Sequence, residues 1–169
     1  MSAKGMRSEV AVVRYVGVGD TVFAGAFAGG IGGLLVLLVA MTSAAINGMD
    51  ILSPIRLIGS TFVGAGALQG GASTIGFGLV LHLIASITWG IGFAALLPRV
   101  TSIAAAFVAG LTYGLVVMLV MLYLVLPLAN PLMREAVDGT NAFTVAHLAF
   151  GAALSLVPLF RYRLALRFG

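Results

Sequence analysis

The chain has 169 residues, of which 61% are hydrophobic and only 8% are charged, and its mean hydropathy is +1.17. A water-soluble domain of this length cannot bury so much apolar surface, so the composition predicts an integral membrane protein. The isoelectric point of about 10.1 comes from nine basic residues among few charges, and it does not indicate nucleic-acid binding. Without cysteine, the chain can form neither a disulfide nor a thiolate metal site.

Four segments lack charged residues over the roughly 20 positions that a helix needs to cross about 30 Å of hydrocarbon. They are approximately residues 22–42, 74–97, 103–126 and 142–160. The first segment starts too far along the chain, and is too long, for a cleavable signal sequence. The sequence therefore predicts an all-α membrane protein with four transmembrane helices. Its expected parts are an N-terminal segment (1–20), one transmembrane domain (21–163) and a tail (164–169).

The distribution of charge predicts the orientation of these helices. The side with few basic residues carries Arg56 and Arg134, together with three acidic residues. Cytoplasmic loops are rich in lysine and arginine, so both termini are expected in the cytoplasm, with the chain spanning a bacterial inner membrane. Seven of the nine basic residues lie on the cytoplasmic side in this arrangement: Lys4, Arg7, Arg14, Arg99, Arg161, Arg163 and Arg167.

The first outward loop, residues 47–73, contains a candidate interfacial helix. Ser53 is a suitable N-cap and Pro54 suits the first helical position, so residues 54–62 are expected to lie as a helix in the membrane interface. The alternative is an irregular loop without a helix. The glycine-rich stretch GAGALQGG that follows is typical of a flexible return. Polar and apolar loop positions offer candidate partner contacts at Pro54, Arg56, Leu57 and Arg134.

The sequence also repeats itself. The stretch GAFAGGIGGLLVLLVAM aligns without gaps with AAFVAGLTYGLVVMLVM, which pairs Gly30 with Gly110. The pair His82-Leu83 recurs as His147-Leu148, so the two halves differ in the length of their outer loops. This pattern predicts two tandem helical hairpins of parallel orientation, with chance similarity between apolar helices as the alternative.

Small residues recur at every fourth position in each predicted span and mark one face of each helix. Such faces let helices approach closely where lipid provides no hydrophobic driving force. The two histidines share these faces and are therefore expected to point into the bundle, whereas Leu37 is expected to face lipid. The candidate packing residues are Gly25, Gly29, Gly33, Gly78, Ser86, Gly90, Gly110, Gly114, Gly151 and Ser155.

His82 and His147 admit two interpretations. The preferred one is structural, because a neutral imidazole can hydrogen-bond between helices and fix their register. The alternative is functional: ionisable groups inside a membrane are candidate sites, and two histidines could ligate a haem, a chlorophyll-type pigment or a metal. We expect no cofactor and no metal site.

The quoted motifs resemble a family of small, uncharacterised four-helix bacterial inner-membrane proteins. The resemblance rests on the glycine-rich GAFAGGIGGL, the two His-Leu helices, GLTYG, NPLM and HLAFGAALSLV, and covers residues 25–163. It implies a fold and a location, without an activity. This chain departs from the pattern in its longer first outer loop, which contains SPIRLIG.

Three functional classes are compatible with these features. No nucleophile, metal-ligand or phosphate-binding motif is present, so the chain is expected not to be an enzyme. The preferred hypothesis is a non-catalytic accessory subunit that stabilises a larger respiratory or photosynthetic membrane complex. The alternatives are a haem- or pigment-binding module using His82 and His147, and a small oligomeric channel or transporter. The expected partners are the lipid bilayer and other membrane subunits, without nucleic acid.

Overall fold

The computed structural model describes residues 17–168, with side chains described as far as Leu164. The predicted N-terminal segment therefore lies outside the described residues except for residues 17–20. Throughout the described range the chain forms helices and short connections without a strand, and four helical stretches are long and apolar enough to cross a membrane. The predictions of an all-α fold and of four spans of this kind are confirmed.

The first two spans are α1 (Val18–Ile46) and α3 (Ala72–Leu96), and α2 (Ser53–Val63) lies between them. Leu52, rather than Ser53, occupies the N-cap position of α2, so the prediction for Ser53 is wrong. The turn that starts this helix is built by Asp50, whose carboxylate accepts the Leu52 N–H at 2.9 Å. The stretch expected to be a flexible return contains a 3₁₀ helix, Ala65–Gln69.

The third span is interrupted near its end. It consists of α4 (Ile103–Val120), a π-helical turn (Met121–Val125) and α5 (Leu126–Ala129). Pro127 at the start of α5 lacks an N–H, and its ring crowds the preceding turn, which accounts for the wider turn just before it. The short helix α6 (Pro131–Val137) follows.

The fourth span is divided in a similar way, into α7 (Asn141–Leu154) and α8 (Val157–Phe168). Pro158 cannot donate a backbone hydrogen bond to Leu154, so the helix is interrupted there. The intervening residues make the tighter bonds of a 3₁₀ turn, such as Leu156 N to Ala153 O at 3.1 Å. The predicted tail, residues 164–169, continues α8 as far as Phe168.

The spans pack antiparallel to their neighbours, which gives the bundle two distinct ends. We call the end with Gly17, residues 97–102 and Phe168 the terminal end, and the end with residues 47–71 and 130–140 the loop end. Helix α1 packs against α3 and α7, and α7 packs against α4. Helices α3 and α4 meet mainly through the aromatic rings of Trp89, Phe93 and Tyr113, so this side of the bundle is the most open.

The apolar core lies where α1, α3, α4 and α7 meet α8, toward the terminal end. It combines small residues of α1 with large side chains from the other helices, including Phe93, Phe150 and Leu154. Leu37 is also buried, with 5% of its surface exposed, so the expectation that it faces lipid is wrong. Leu37 lies four positions after Gly33, and this spacing places both residues on the same inward face.

Candidate functional site

His82 connects α3 to α1. Its Nε2–H donates a hydrogen bond to the carbonyl oxygen of Gly33 at 2.9 Å, and the same nitrogen lies 3.4 Å from the Ser86 hydroxyl oxygen. The Ser86 hydroxyl in turn donates to the carbonyl oxygen of His82 at 2.8 Å. Ring, hydroxyl and two backbone carbonyls thus form one small polar group at the contact between two spans.

His147 makes a different set of contacts. It is buried, and its Nδ1–H donates to the carbonyl oxygen of Phe143, one turn earlier in the same helix, at 2.8 Å. Its ring also lies against that of Phe143, with 4.3 Å between the centroids. The part of His147 that faces α4 is its backbone carbonyl, which lies beside Gly114. The His147 imidazole therefore hydrogen-bonds within its own helix, while the His82 imidazole hydrogen-bonds between two helices.

These contacts bear on the hypothesis of a haem or pigment. A ligating histidine commonly donates its other ring N–H to a backbone carbonyl, and His147 does so through Nδ1, which leaves Nε2 as the available ligand atom. His82, in contrast, already uses Nε2 on Gly33, so ligation through that nitrogen would require this bond to break. Within the described residues, no three His, Cys, Asp or Glu side chains are grouped closely enough to hold a metal ion. Cofactor ligation by the two histidines stays the alternative hypothesis.

The glycines predicted to pack do so at two backbone crossings. In the α1–α3 crossing, a methyl group added to Gly29 would lie 2.5 Å from the Ser86 carbonyl oxygen and 2.9 Å from the Gly90 Cα. In the α4–α7 crossing, a methyl group on Gly114 would press on the His147 carbonyl oxygen and lie 3.1 Å from the Gly151 Cα. Side chains larger than hydrogen cannot fit at these points. Three further glycines share the crossings: Gly25, Gly33 and Gly110.

Two of the predicted packing residues lie elsewhere. Gly78 faces α2, because a methyl group there would be 3.0 Å from the Gly59 nitrogen. The short helix is thereby held against α3 backbone to backbone. Ser155 lies in the break between α7 and α8, where its hydroxyl donates to the Ala152 carbonyl oxygen at 2.7 Å.

The candidate partner contacts are engaged within the chain. Arg56 pairs with Asp50, and its Nε–H donates to the Gly70 carbonyl oxygen at 3.2 Å. The Leu52 N–H and the Arg56 guanidinium lower the pKa of Asp50 from its ordinary value. Arg134 pairs with Asp138 one turn later, at 2.9 Å. Pro54 is half-buried in the first turn of α2.

Asn130 joins the two loops, a role that the sequence analysis missed. Its side chain is buried, and its oxygen accepts the Met133 N–H at 2.9 Å, which caps α6. Its Nδ2 group, which carries two hydrogens, lies within hydrogen-bond distance of three acceptors in α2: the Leu57 carbonyl oxygen at 2.9 Å and the hydroxyl oxygens of Ser60 and Thr61 at 3.1 and 3.0 Å. The asparagine between Ala129 and Pro131 could have been recognised as an N-cap, but its partners in α2 could not.

Arg161 makes the corresponding connection at the terminal end. Its side chain is only 2% exposed, and its guanidinium donates to the carbonyl oxygens of Ala94, Leu97 and Pro98. The last carbonyls of a helix lack partners within the helix, and a cation there also interacts favourably with the helix dipole. Arg161, 64 residues after Leu97, therefore caps the C-terminal end of α3. From sequence it was considered only as a charge that sets the topology.

Comparisons with known proteins add no identity to this arrangement. No family model matches the chain, and neither a curated protein nor a solved structure matches it. The resemblance to small four-helix inner-membrane proteins stays a prediction.

Proposed function

We propose that this protein is a non-catalytic accessory subunit that packs against, and stabilises, other subunits of a larger respiratory or photosynthetic membrane complex. The observation that carries the proposal is how polar side chains within the described spans are used. The His82 and His147 rings, the Tyr113 hydroxyl and the Arg161 guanidinium all donate to backbone carbonyls of the chain itself. They strengthen the bundle and are not arranged along a polar path for a transported solute.

The uneven coverage of the four spans also supports a role within an assembly. In the most apolar window of the first and fourth spans, 39% and 44% of residues are buried within the chain, against 22% in both the second and the third. The outward faces of α3 and α4 are therefore the largest surfaces on offer to lipid or to a neighbouring subunit. A channel of four helices would instead need a polar interior that the glycine crossings leave no room for.

The proposal includes a tandem-hairpin architecture, with α2 lying in the outer interface of a bacterial cytoplasmic membrane. The two glycine crossings support the first part, since Gly29 and Gly114 meet the same kinds of backbone atoms. The apolar character of α2 supports the second part, since Phe62 and Val63 at its end are largely exposed to the surroundings.

The proposal also places the terminal end in the cytoplasm. At the loop end both arginines are paired, Arg56 with Asp50 and Arg134 with Asp138. At the terminal end Arg99, Arg161 and Arg163 make no ion pair among the described residues. The net positive charge of the folded chain is thus concentrated where the positive-inside rule expects cytoplasm.

The decisive experiment for the functional proposal is gentle solubilisation of the tagged protein from its native membrane, followed by quantitative mass spectrometry. We expect one or more membrane subunits to co-purify in a fixed ratio, and deletion of the gene to lower the abundance or thermal stability of that complex. An unrelated four-span protein with the same tag is the control. Recovery of the protein alone, with every membrane complex unaffected by the deletion, would contradict the proposal.

Topology can be tested cleanly because the chain has no cysteine. Gly66→Cys lies in open space at the loop end, and Val100→Cys is exposed at the terminal end. A membrane-impermeant maleimide should label Gly66→Cys in intact cells and Val100→Cys only after permeabilisation. Labelling of Val100→Cys in intact cells would reverse the orientation.

A further inference from the structure

The open side of the bundle forms an apolar cleft between α3 and α4. The cleft has a volume of about 390 Å³ and begins at Leu97 and Pro98. Its two hydroxyl groups are already engaged, because Thr112 donates to the Val108 carbonyl oxygen at 3.1 Å and Tyr113 to that of Trp89 at 3.0 Å. An occupant would therefore meet hydrocarbon almost everywhere. The lining residues are Phe93, Leu96, Leu97, Pro98, Ala109, Thr112, Tyr113 and Val116.

The position of the cleft corresponds to one leaflet of a bilayer. Helix α4 begins at Ile103, and the bond from Tyr113 to Trp89 brings the two helices together ten residues later. At the helical rise this separation is about 15 Å. Half of a hydrocarbon core of about 30 Å is the same length. The cleft thus lies mainly in the leaflet at the terminal end, and its lining residues on α4, Ala109 to Val116, extend over about 10 Å.

Positive charge lies at the mouth of this cleft. Arg161 is buried against the carbonyl oxygens of Leu97 and Pro98, two of the lining residues, and its Nε–H has no partner in the described part of the chain. Arg99 comes directly after Pro98 and is exposed. Among residues 17–164 neither arginine forms an ion pair, since the two ion pairs found there both lie at the loop end. An anion at this mouth would lie beside the exposed Arg99 and near the buried Arg161, neither of which is ion-paired among the described residues.

We propose that the cleft binds an anionic phospholipid, with one acyl chain between α3 and α4 and the phosphate beside Arg99. The buried Arg161 adds positive potential from inside the bundle. Basic pockets between transmembrane helices on the cytoplasmic side are suited to such headgroups. An apolar transmembrane helix of another protein would fill the cleft but would itself bring no negative charge to the two arginines. Charge complementarity therefore favours the lipid.

The test is native mass spectrometry of the full-length, detergent-purified protein. Phosphatidylglycerol and phosphatidylcholine with identical acyl chains are titrated in separate samples. We expect tighter binding of phosphatidylglycerol and a loss of about fivefold in Arg99→Gln, which corresponds to the roughly 1 kcal/mol that one basic residue contributes near an anionic surface. Ala109→Leu should weaken binding of both lipids, because the added side chain occupies the cleft.

Arg163→Gln is the matched control. Arg163 is exposed on the same helix as Arg161, but two helical positions turn it to nearly the opposite face. We expect this variant to bind like the wild type, and helical circular dichroism should be unchanged in all three variants. An equal loss in Arg163→Gln and Arg99→Gln would mean diffuse attraction to charge and would overturn the proposal.

Two further outcomes would also overturn it. If inorganic phosphate displaces phosphatidylglycerol and Ala109→Leu has no effect, only the headgroup is recognised and the cleft is not a lipid site. If the wild type shows no preference for the anionic lipid, while a polypeptide co-purifies with it and is lost from Ala109→Leu, the cleft belongs to a protein helix.

Discussion

The two halves of the bundle, α1 with α3 and α4 with α7, use the same crossing at different heights. Equivalent contacts join Gly29 to Gly90 and Gly114 to Gly151. In the aligned sequences, however, the counterpart of Gly29 is Ala109, about one turn before Gly114. Alignment of the two histidines likewise places the counterpart of Gly90 about one turn after Gly151. Both differences move the second crossing toward the loop end.

This displacement explains why the two histidines behave differently. At the first crossing the contact is made by Ser86. His82 lies one turn before it in α3, nearer the loop end, where its ring can reach the Gly33 carbonyl oxygen. At the second crossing His147 itself occupies the contact, so its backbone meets Gly114 and its ring turns back to Phe143. The two His-Leu pairs, although alike in sequence, therefore place their histidines in different structural roles.

The strongest test uses a glycine pair that the sequence treats as equivalent. Gly30 and Gly110 align in the repeat, but a methyl group at Gly30 meets open space and one at Gly110 presses on the Gly151 backbone. Gly110→Leu should cost about 3 kcal/mol through overpacking, while Gly30→Leu should be nearly neutral. Thermal unfolding in detergent, monitored by circular dichroism, measures the difference. Similar losses of stability in both variants would mean that the two aligned glycines make equivalent contacts, and would contradict the displaced crossing.

The joint between the halves at the loop end should show the next largest effect. Asn130→Ala removes the cap of α6 and the amide's hydrogen bonds to α2, and should cost about 2 kcal/mol. Protease sensitivity of residues 47–71 should rise with it, because α2 loses its tie to the second loop. Asn141→Ala, at the exposed start of α7, is a suitable control. Unchanged cleavage in Asn130→Ala would show that α2 is held by α3 alone.

The histidines give a smaller and more selective prediction. His82→Leu should cost about 1 kcal/mol, since it removes a bond between helices, and His82→Gln should recover most of it. His147→Leu should cost less, because the Phe143 carbonyl keeps its helical bond. Absorption spectra of the same samples address the alternative: a visible band in the wild type that both His→Gln variants lose would establish ligation. Greater damage from His147→Leu without such a band would contradict the comparison of the two roles.

The smallest effect concerns Asp50, which anchors the turn before α2. Its pKa is lower in the folded protein than the ordinary value of 3.8, so its stabilising effect is present above that pH and is lost as the pH falls through the folded pKa. Asp50→Asn should lower the melting temperature slightly at pH 7, and the difference from the wild type should shrink as the pH falls below 3.8. A difference that persists undiminished at pH 3 would assign the effect to something other than the carboxylate charge.

The spans and their close-packed faces follow from the sequence for simple physical reasons. Hydropathy over a window of roughly 20 residues identifies a membrane helix, and spacing of four places Gly25, Gly29 and Gly33 on one side of it. The position of the second crossing along the bundle could not be predicted. Both Gly110 and Gly114 are glycines, and a sequence alignment pairs identical residues without showing which of them touch the neighbouring helix. The burial of Leu37, in contrast, could have been predicted. It lies four positions after Gly33, and this spacing places it on the inward face.

The polar connections were beyond sequence reasoning for another reason. Asn130 and its partners in α2 are about 70 residues apart, and nothing local marks them as neighbours. Arg161 looks like one more cytoplasmic charge until α3 is seen to end beside it. Long-range pairing of single polar residues leaves no periodic signal.

The position of Arg161 also has a consequence for how the protein is made. Its acceptor Leu97 is synthesised 64 residues before it, so α3 enters the membrane long before the group that completes its end exists. During that interval the last carbonyls of α3 can accept hydrogen bonds only from water or lipid headgroups. The cap of α3 forms only after the final helix has been synthesised. A chain cut short before Arg161 would therefore leave the carbonyl oxygens of Ala94, Leu97 and Pro98 without these hydrogen bonds.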